Sequence, residues 1–291
     1  GAYLIDEANM LDKINLFSNM IVFSSYAMQV VLSFMLLSFV FIIYPRANVS
    51  AKRILEVLNT DTSIKDGNFD EDTKDKGIIE FNNVSFKYPD AEEYMLKNIN
   101  FKVNKGEVVA FIGSTGSGKS TLINLIPRFY DASEGKILID NIDVKDYKLS
   151  NLYNKLGYIS QKAVMFTGNI KNNVNYGECN KKITEEDIKK AIEVAQAKDF
   201  VEKMPNKYES DVSEGGTNLS GGQKQRISIA RAIAKQPEIY IFDDSFSALD
   251  YKTDFELRKE LKKYTKEATI LIVAQRIGTI KNADKIVVLD N

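Results

Sequence analysis

The chain contains the stretch Gly113-Ser114-Thr115-Gly116-Ser117-Gly118-Lys119-Ser120, which fits the pattern G-x-x-x-x-G-K-[ST]. An apolar run, residues 108–112, precedes it, and a helical pattern, residues 121–126, follows it. Glycines let the backbone curl closely around a polyphosphate, so that its amides and the start of the next helix face the anion. This strand–loop–helix order predicts a phosphate-binding loop in an α/β domain.

The polar side chains of this loop have predicted roles towards a nucleotide. We expect Lys119 to reach the β- and γ-phosphates of ATP and the Ser120 hydroxyl to ligate Mg²⁺. The other metal ligand should be an acidic residue at the end of a buried strand, and Asp243 follows the apolar run 239–242. Asp243 is therefore the predicted Walker B aspartate. The predicted nucleotide contacts of the loop are Gly113, Ser114, Thr115, Gly116, Ser117, Gly118, Lys119, Ser120 and Thr121.

Further apolar runs lie on both sides of this motif. Residues 108–112, 239–242, 270–273 and 285–289 are predicted to be buried strands with helices between them. Residues 184–187 resemble a capping box, which predicts a helix that buries one apolar face, formed by Ile188, Ala191, Ile192 and Ala195.

Composition excludes several kinds of site. The 291 residues include no histidine and 1 cysteine, which excludes a Ser-His-Asp catalytic group, an intrachain disulfide framework and a four-cysteine zinc site. The formal net charge is -1, so the chain lacks the basic excess of nucleic-acid-binding domains, and we expect no nucleic acid partner.

The N-terminal part of the chain is apolar. No charged residue lies between Lys13 and Arg46, and a helix over this segment is longer than the ~30 Å hydrocarbon core of a bilayer. A buried helix of a soluble domain rarely has so long an uncharged run, and a signal peptide has a basic leading region. We predict one membrane helix at about 16–44. The charged, glycine-containing segment 61–77 is predicted to be a surface linker.

A third motif narrows the class. Leu219-Ser220-Gly221-Gly222-Gln223 resembles the signature of ATP-binding cassette (ABC) proteins, and the chain from residue 78 onward resembles the nucleotide-binding domain of B-type ABC exporters. In this resemblance Tyr88 is the adenine-stacking platform, and Gln161 is the Q-loop glutamine that touches Mg²⁺ and senses the membrane domain. Residues 127–131 and 212–216 resemble exporter-specific segments, and residues 247–250 resemble the D-loop.

The resemblance implies a fold and a location. The fold class is an α/β P-loop NTPase with a RecA-like core, an antiparallel β-subdomain and a helical signature subdomain, preceded by a transmembrane helix. We expect residues 1–45 to end a membrane domain, residues 46–77 to form a helical extension and linker, and residues 78–291 to form the nucleotide-binding domain, with its helical subdomain at about 147–228. The full protein should be longer at both ends and cross the plasma membrane several times, with this domain in the cytoplasm.

The resemblance also implies a partner. Two such domains meet head to tail, so Ser220, Gly221, Gly222 and Gln223 bind an ATP held by the Walker residues of the other domain. ATP closes the pair and hydrolysis reopens it, which drives the export of an unknown small molecule, lipid or peptide across the lipid bilayer. The implied cofactors are ATP and Mg²⁺.

Two catalytic positions depart from the family pattern. Asp244 stands where the family has the glutamate that polarises water, and Gln275 stands where it has the switch histidine. The shorter aspartate sets its carboxylate back by roughly 1.5 Å, and a displacement near 1 Å can cost about 10²-fold in rate. An amide also cannot carry positive charge or relay a proton. We therefore predict a weakly active ATP hydrolase site, whose catalytic residues are Asp244, Gln275, Lys119 and Gln161.

We then expect a heterodimer with one slow and one active ATP site. The complete signature of this chain belongs to the active site, for which a second half-transporter supplies the catalytic glutamate and histidine. Alternatives are a slow homodimeric exporter, a pair of engineered substitutions that trap ATP, a non-transport ABC ATPase of DNA repair or translation, and a purely regulatory ATP-binding subunit. The apolar segment and the exporter-type residues 212–216 argue against the non-transport ATPase.

Overall fold

The computed structural model describes residues 3, 10–177, 179–274 and 277–290. The chain divides into two compact units, Gly1–Ser63 and Ile64–Asn291, and each is described by itself.

The first unit consists mainly of one helix, α1 (Met10–Leu58), which is 49 residues long. It extends beyond the predicted segment 16–44 at both ends and passes through Pro45, although proline lacks the N–H for a helical hydrogen bond. Its large apolar side chains are exposed, for example Phe23 and Phe41. Among the described residues, α1 is the one helix long and apolar enough to cross a membrane, and it is the candidate membrane span.

The second unit contains an antiparallel sheet and a parallel sheet. The antiparallel strands are β1 (Ile79–Phe86), β2 (Leu96–Val103), β4 (Glu134–Ile139) and β5 (Ile142–Asp143), and the parallel strands are β3 (Val108–Gly113), β6 (Leu156–Ile159), β9 (Ile239–Asp243), β10 (Thr269–Val273) and β11 (Lys285–Leu289). The spatial orders are β2-β1-β4-β5 and β11-β3-β10-β9-β6. A short third pair joins β7 (Gly168–Asn169) to β8 (Asp211–Val212). The four predicted strands are confirmed as β3, β9, β10 and β11.

The helices of this unit are mostly short. They are α2 (Lys119–Asn124), α3 (Leu149–Lys155), α4 (Ile170–Val174), α5 (Glu185–Val194), α6 (Lys198–Val201), α7 (Gly221–Lys235), α8 (Tyr251–Tyr264) and α9 (Ile277–Ile280), with 3-10 turns at Lys207–Glu209 and Glu214–Gly216. The predicted capping box is present before α5. The Asp187 N–H donates to Thr184 Oγ1 at 3.2 Å, and the Thr184 N–H donates to Asp187 Oδ2 at 3.0 Å.

The parallel sheet separates two apolar cores. Ala110, Tyr240 and Phe242 lie in the core with α5, α7 and α8, whereas Phe111 and Ile241 lie in the core with the antiparallel sheet and α2. Alternate side chains of a strand point to opposite faces, so a strand that is buried on both faces is apolar throughout. Because β3, β6 and β9 run parallel, their carboxyl ends meet at one edge of the sheet. The candidate site lies at this edge.

Most of the predicted linker, residues 64–77, belongs to the second unit and packs against other residues of that unit. Phe69 forms a bridge with Tyr147, and the two rings meet edge to face at 5.2 Å. The Gly67 N–H donates to the Tyr147 carbonyl at 3.1 Å, and the Leu149 N–H donates to Asp66 Oδ1 at 2.6 Å. Hydrogen bonds and one aromatic contact therefore fix this segment in place, although its composition indicates solvent exposure. The compact unit begins at Ile64.

A buried ion cluster fixes the same segment. Lys155 Nζ donates to Asp140 Oδ2 at 2.9 Å, to Glu238 Oε2 at 2.8 Å and to Thr73 Oγ1 at 2.7 Å. Burial by itself lowers the pKa of Lys155, but the bonds to Glu238 and Asp140 outweigh it and the pKa is raised. Lys155 thus joins the segment before β1 to residues next to β4 and β9.

We expect Lys155→Met to lower the free energy of unfolding by about 3–5 kcal/mol, because it leaves the buried Asp140 carboxylate without its cation. The matched control is Lys148→Met, whose ion pair with Asp70 is about half exposed and should contribute little to stability, because solvent screens it. Urea unfolding of the chain in lipid nanodiscs, followed by tyrosine fluorescence, measures both. Equal losses in the two variants would contradict the buried role of Lys155.

Candidate functional site

The phosphate loop connects the end of β3 to the start of α2. Gly118, the residue that caps α2, has φ 88° and ψ 10°, and Gly116 also has φ 88°, a left-handed conformation that favours glycine. At Gly113 an added Cβ would lie 2.4 Å from the Leu289 carbonyl oxygen. Residues 113–116 are exposed, whereas Ser117 and Gly118 are buried. The glycines are therefore required by backbone geometry as well as by the predicted ligand.

Lys119 is buried with its amine against its own loop. Its Nζ donates to the carbonyl of Gly113 at 2.9 Å and to the carbonyl of Ser114 at 2.6 Å. These two neutral acceptors hold the ammonium group next to the amides of the loop. An anion bound by the loop would meet a positive charge that is already in position.

Ser120 and Asp243 meet although they are far apart in the sequence. Ser120 Oγ donates to Asp243 Oδ1 at 2.8 Å. Burial raises the pKa of Asp243 more than the bonds from Ser120 and Tyr158 and the charge of Lys119 lower it, so the net direction is upward. A hydroxyl and a carboxylate are hard oxygen ligands of the kind that Mg²⁺ binds.

The number of protein ligands also fits Mg²⁺. In the described part of the chain, no group of three or more Asp, Glu, Cys or His side chains could hold a metal by itself. Mg²⁺ commonly takes one or two protein ligands and completes its shell with water and substrate phosphates. The Ser120–Asp243 pair, next to a phosphate loop, matches this pattern.

Tyr158 lies in the segment that resembles the Q-loop, but the sequence indicates no role for its side chain. Its hydroxyl lies 2.8 Å from Asn124 Oδ1 and 3.3 Å from Asp243 Oδ2, and its single proton is donated to one of them at a time. Tyr158 is placed there because β6 pairs with β9, with Tyr158 opposite Ile241. This pairing joins segments that are distant in sequence, so no local pattern predicts the contact of Tyr158 with Asp243.

The side chain of Tyr88 is hydrogen-bonded to the helix that follows the phosphate loop. Its hydroxyl lies 2.9 Å from Thr121 Oγ1 and is hydrogen-bonded to it. Its ring is packed edge to face by Phe86 at 4.9 Å and by Tyr130 at 5.2 Å. Thr121, predicted as a nucleotide contact, thus connects the predicted base platform to α2.

Asp244 directly follows Asp243 and is buried. Its backbone is left-handed, with φ 45°. Its N–H donates to the Val273 carbonyl at 3.1 Å, and its carbonyl accepts from Ser247 Oγ at 2.8 Å. Gln161 is exposed in the loop after β6. Gln275 lies outside the described residues.

The predicted signature forms the first turn of α7. Ser220 caps the helix: the Gln223 N–H donates to Ser220 Oγ at 3.3 Å, and the Ser220 N–H donates to Gln223 Oε1 at 2.8 Å. The N–H groups of Gly221 and Gly222 belong to the first turn of the helix, where no intrahelical carbonyl is available. Apart from its chain neighbours and the adjacent backbone of α7, no described residue lies within 4 Å of the position that a Cβ would take at Gly221. This end of α7 is open to a ligand from outside the chain.

Comparisons with known proteins agree with this geometry. A model of the ABC transporter family matches residues 96–247. An uncharacterized ABC transporter ATP-binding protein of Bacillus subtilis is 42% identical over 252 residues, which are 85% of this chain and 43% of that protein. A putative multidrug export ATP-binding/permease protein of Staphylococcus aureus is 43% identical over 239 residues, 82% of this chain and 41% of that protein.

A solved structure shares the fold. The structure of a bacterial Atm1-family ABC exporter with ATP bound matches with a TM-score of 0.84 and 30% identity, over 94% of this chain and 48% of that chain. The chain spans less than half the length of these proteins. The residues that match the family model include the phosphate loop, β3, β6 and β9. The chain therefore carries an ATP-binding domain and belongs to the ABC transporter family.

Proposed function

We propose that this chain is the ATP-binding part of an exporter subunit that couples ATP binding and hydrolysis to transport across the plasma membrane. Residues 1–45 end its membrane domain, residues 46–77 connect, and residues 78–291 form the cytoplasmic nucleotide-binding domain, with the helical subdomain at about 147–228. The family match, the exposed apolar helix α1 and the exporter structural neighbour support this assignment.

The nucleotide site is formed by the elements at the carboxyl edge of the parallel sheet. The loop from Gly113 to Thr121 holds the phosphates, with Lys119 as the cation, and Tyr88 stacks on the adenine. Ser120 and Asp243, which already share a hydrogen bond at 2.8 Å, hold Mg²⁺ together with Gln161. Bound Mg²⁺ would screen the charge of the phosphates. The Ser120–Asp243 contact is the observation that supports this part of the proposal best.

The site is built to bind ATP and to hydrolyse it slowly. Asp244 carries the carboxylate that should act on water, on a side chain one methylene shorter than the glutamate of the family pattern. Gln275 replaces the histidine. All the other residues predicted to contact the nucleotide are present, so we assign slow hydrolysis to these two positions.

The signature serves a second subunit. Ser220, Gly221, Gly222 and Gln223 present a capped, exposed helix start, which suits a phosphate group brought by another chain. The partner is a half-transporter with glutamate and histidine at the two catalytic positions. In this heterodimer, the chain supplies the Walker residues of the slow site and the signature of the fast site. The cargo is a small molecule, a lipid or a peptide.

The test compares the chain alone with the chain mixed with its partner, the ABC half-transporter encoded by the neighbouring reading frame. In lipid nanodiscs, the chain alone should bind ATP with Mg²⁺ and release little phosphate. Adding the partner should restore turnover, and Ser220→Ala in this chain should then abolish it without loss of ATP binding at Lys119. A normal exporter rate from the chain alone would contradict the slow site and favour a homodimer.

A further inference from the structure

The two oxygens of the buried Asp243 carboxylate are held by hydroxyl groups from two different elements. Ser120 Oγ donates to Asp243 Oδ1 at 2.8 Å, and the Tyr158 hydroxyl lies 3.3 Å from Asp243 Oδ2. Asp243 is 7% exposed, so water has little access to these oxygens. The torsion that turns the carboxylate of an aspartate is broad and has no narrow preferred angle. The two hydroxyl contacts therefore set the orientation of this carboxylate.

Tyr158 is held in place by contacts that do not involve Asp243. Its backbone lies in β6, opposite Ile241 of β9, and its ring packs edge to face against Phe129 at 5.4 Å. Its hydroxyl also lies 2.8 Å from Asn124 Oδ1, at the end of α2. The hydroxyl is thus a fixed point between the helix that follows the phosphate loop and the strand that ends at Asp243.

Asn124 and Asp243 compete for the single proton of the Tyr158 hydroxyl. The contact to Asn124 is the shorter one. A hydrogen bond to an ionised acceptor is about twice as strong as one between neutral groups, which offsets the longer distance to Asp243. Removal of the Asn124 amide leaves the proton to Asp243, whereas removal of the phenol hydroxyl takes this donor away from Oδ2.

The orientation of the carboxylate matters for the proposed metal. Mg²⁺ demands near-ideal octahedral geometry, whereas Ca²⁺ accepts flexible arrangements of oxygen ligands. Loss of a hydrogen-bonded partner of a metal-binding carboxylate typically lowers metal affinity by about 10- to 100-fold. Tyr158 contacts the oxygen of Asp243 that Ser120 does not contact, so it is placed to be such a partner.

We propose that Tyr158 is a positioning residue of the metal site, whose hydroxyl holds the Asp243 carboxylate in the orientation that suits Mg²⁺. This inference rests on the proposed function, since it assumes that the phosphate loop binds ATP and that Ser120 and Asp243 bind the metal. ATP and Mg²⁺ share one site, so each raises the affinity of the other. Without the hydroxyl, Mg²⁺ raises the affinity for ATP less, while the phosphate loop keeps its own contacts.

The experiment measures the metal gain, defined as the factor by which Mg²⁺ raises the affinity of the whole chain for ATP. A fluorescent ATP analogue is titrated into nanodiscs that contain the chain, first with EDTA and then with the same concentration of Mg²⁺ for every variant. The metal gain of Tyr158→Phe should be at least about fivefold smaller than that of the wild type, whereas its affinity in EDTA should stay within about twofold. With Ca²⁺ in place of Mg²⁺, the gain should differ by less than about twofold between the two proteins.

Two further variants separate positioning from damage. Tyr147→Phe removes another tyrosine hydroxyl, which is buried and donates to the Ile139 carbonyl at 3.0 Å in the antiparallel sheet. It should lower the free energy of unfolding, measured with urea, and keep the metal gain. Asn124→Leu keeps the shape of the side chain but removes the competing acceptor, so the metal gain should stay the same or rise.

The inference is overturned if Tyr158→Phe keeps the metal gain of the wild type, or if it loses ATP affinity equally with and without Mg²⁺. It is also overturned if Asn124→Leu lowers the metal gain as much as Tyr158→Phe does, because the hydroxyl would then act through α2 and not on Asp243. A wild type that does not bind ATP, or that binds it with no metal gain, would instead contradict the proposed function.

Discussion

Lys119→Met is expected to weaken the binding of ATP to the chain by at least about 100-fold, because two charge-assisted hydrogen bonds to phosphate oxygens are lost. In the structure, the amine is held 2.9 Å and 2.6 Å from the carbonyls of Gly113 and Ser114, beside the amides that would face the nucleotide. Methionine keeps the length and the apolar stem of this buried side chain, so the loop should keep its conformation. Titration of a fluorescent ATP analogue into nanodiscs that contain the chain measures the change.

The matched control is Lys145→Met. Lys145 is exposed, and its Nζ donates to the Ala132 carbonyl at 3.3 Å in the same domain. Its loss should change the affinity by less than about twofold, since it is an exposed lysine outside the phosphate loop. ATP binding within about fivefold of the wild type by Lys119→Met would show that the loop is not the main nucleotide contact.

The strands of the parallel sheet could be predicted because their burial leaves a simple pattern in the sequence. Residues 239–242 are apolar without interruption, and β9 is buried along its whole length. The same holds for 270–273 in β10. A strand that is buried on both faces has few polar side chains to interrupt its apolar run. The phosphate loop was predictable for a related reason, since its glycines are required locally by backbone geometry.

The packing of residues 64–77 could not be predicted from composition. Asp66, Asp70 and Lys76 are the charged residues expected of a solvated linker, yet Asp66 accepts from the backbone at the start of α3. Thr73 reaches the buried Lys155 across 82 positions of sequence. Such contacts depend on the register between distant segments, which no local pattern encodes.

The same limit applies inside the candidate site. Ser120, Lys119 and Asp243 could be assigned because each stands in a local motif, and the structure brings Ser120 and Asp243 into contact. Tyr158 lies three residues before Gln161, in the segment that resembles the Q-loop, but no local pattern indicates its contact with Asp243. That contact follows from the pairing of β6 with β9. The residues proposed to bind the nucleotide stand in local motifs, whereas the contact of Tyr158 with Asp243 depends on strand pairing.

The backbone of Asp244 is left-handed, and this conformation limits which side chains the position tolerates. A φ of 45° is left-handed, and aspartate and asparagine occupy this region more readily than longer side chains do. Glutamate lacks the short polar group that stabilises it locally, so Asp244→Glu should lower the stability by about 1 kcal/mol. The same change extends the carboxylate by roughly 1.5 Å, towards the position expected for activating water.

We expect Asp244→Glu, combined with Gln275→His, to raise phosphate release by about 100-fold, because a displacement near 1 Å costs about that much. Under the proposed function, a pair of identical double variants combines both catalytic residues with a complete signature. The measurement is phosphate release with ATP and Mg²⁺, at concentrations where ATP pairs the chains. Asp244→Asn is the matched control, since it keeps the length and tolerates the left-handed backbone but carries no charge, and it should give no gain. If the double variant binds ATP, pairs and still hydrolyses no faster than the wild type, then slow turnover cannot be assigned to these two positions, and the reason must lie in how the two chains meet.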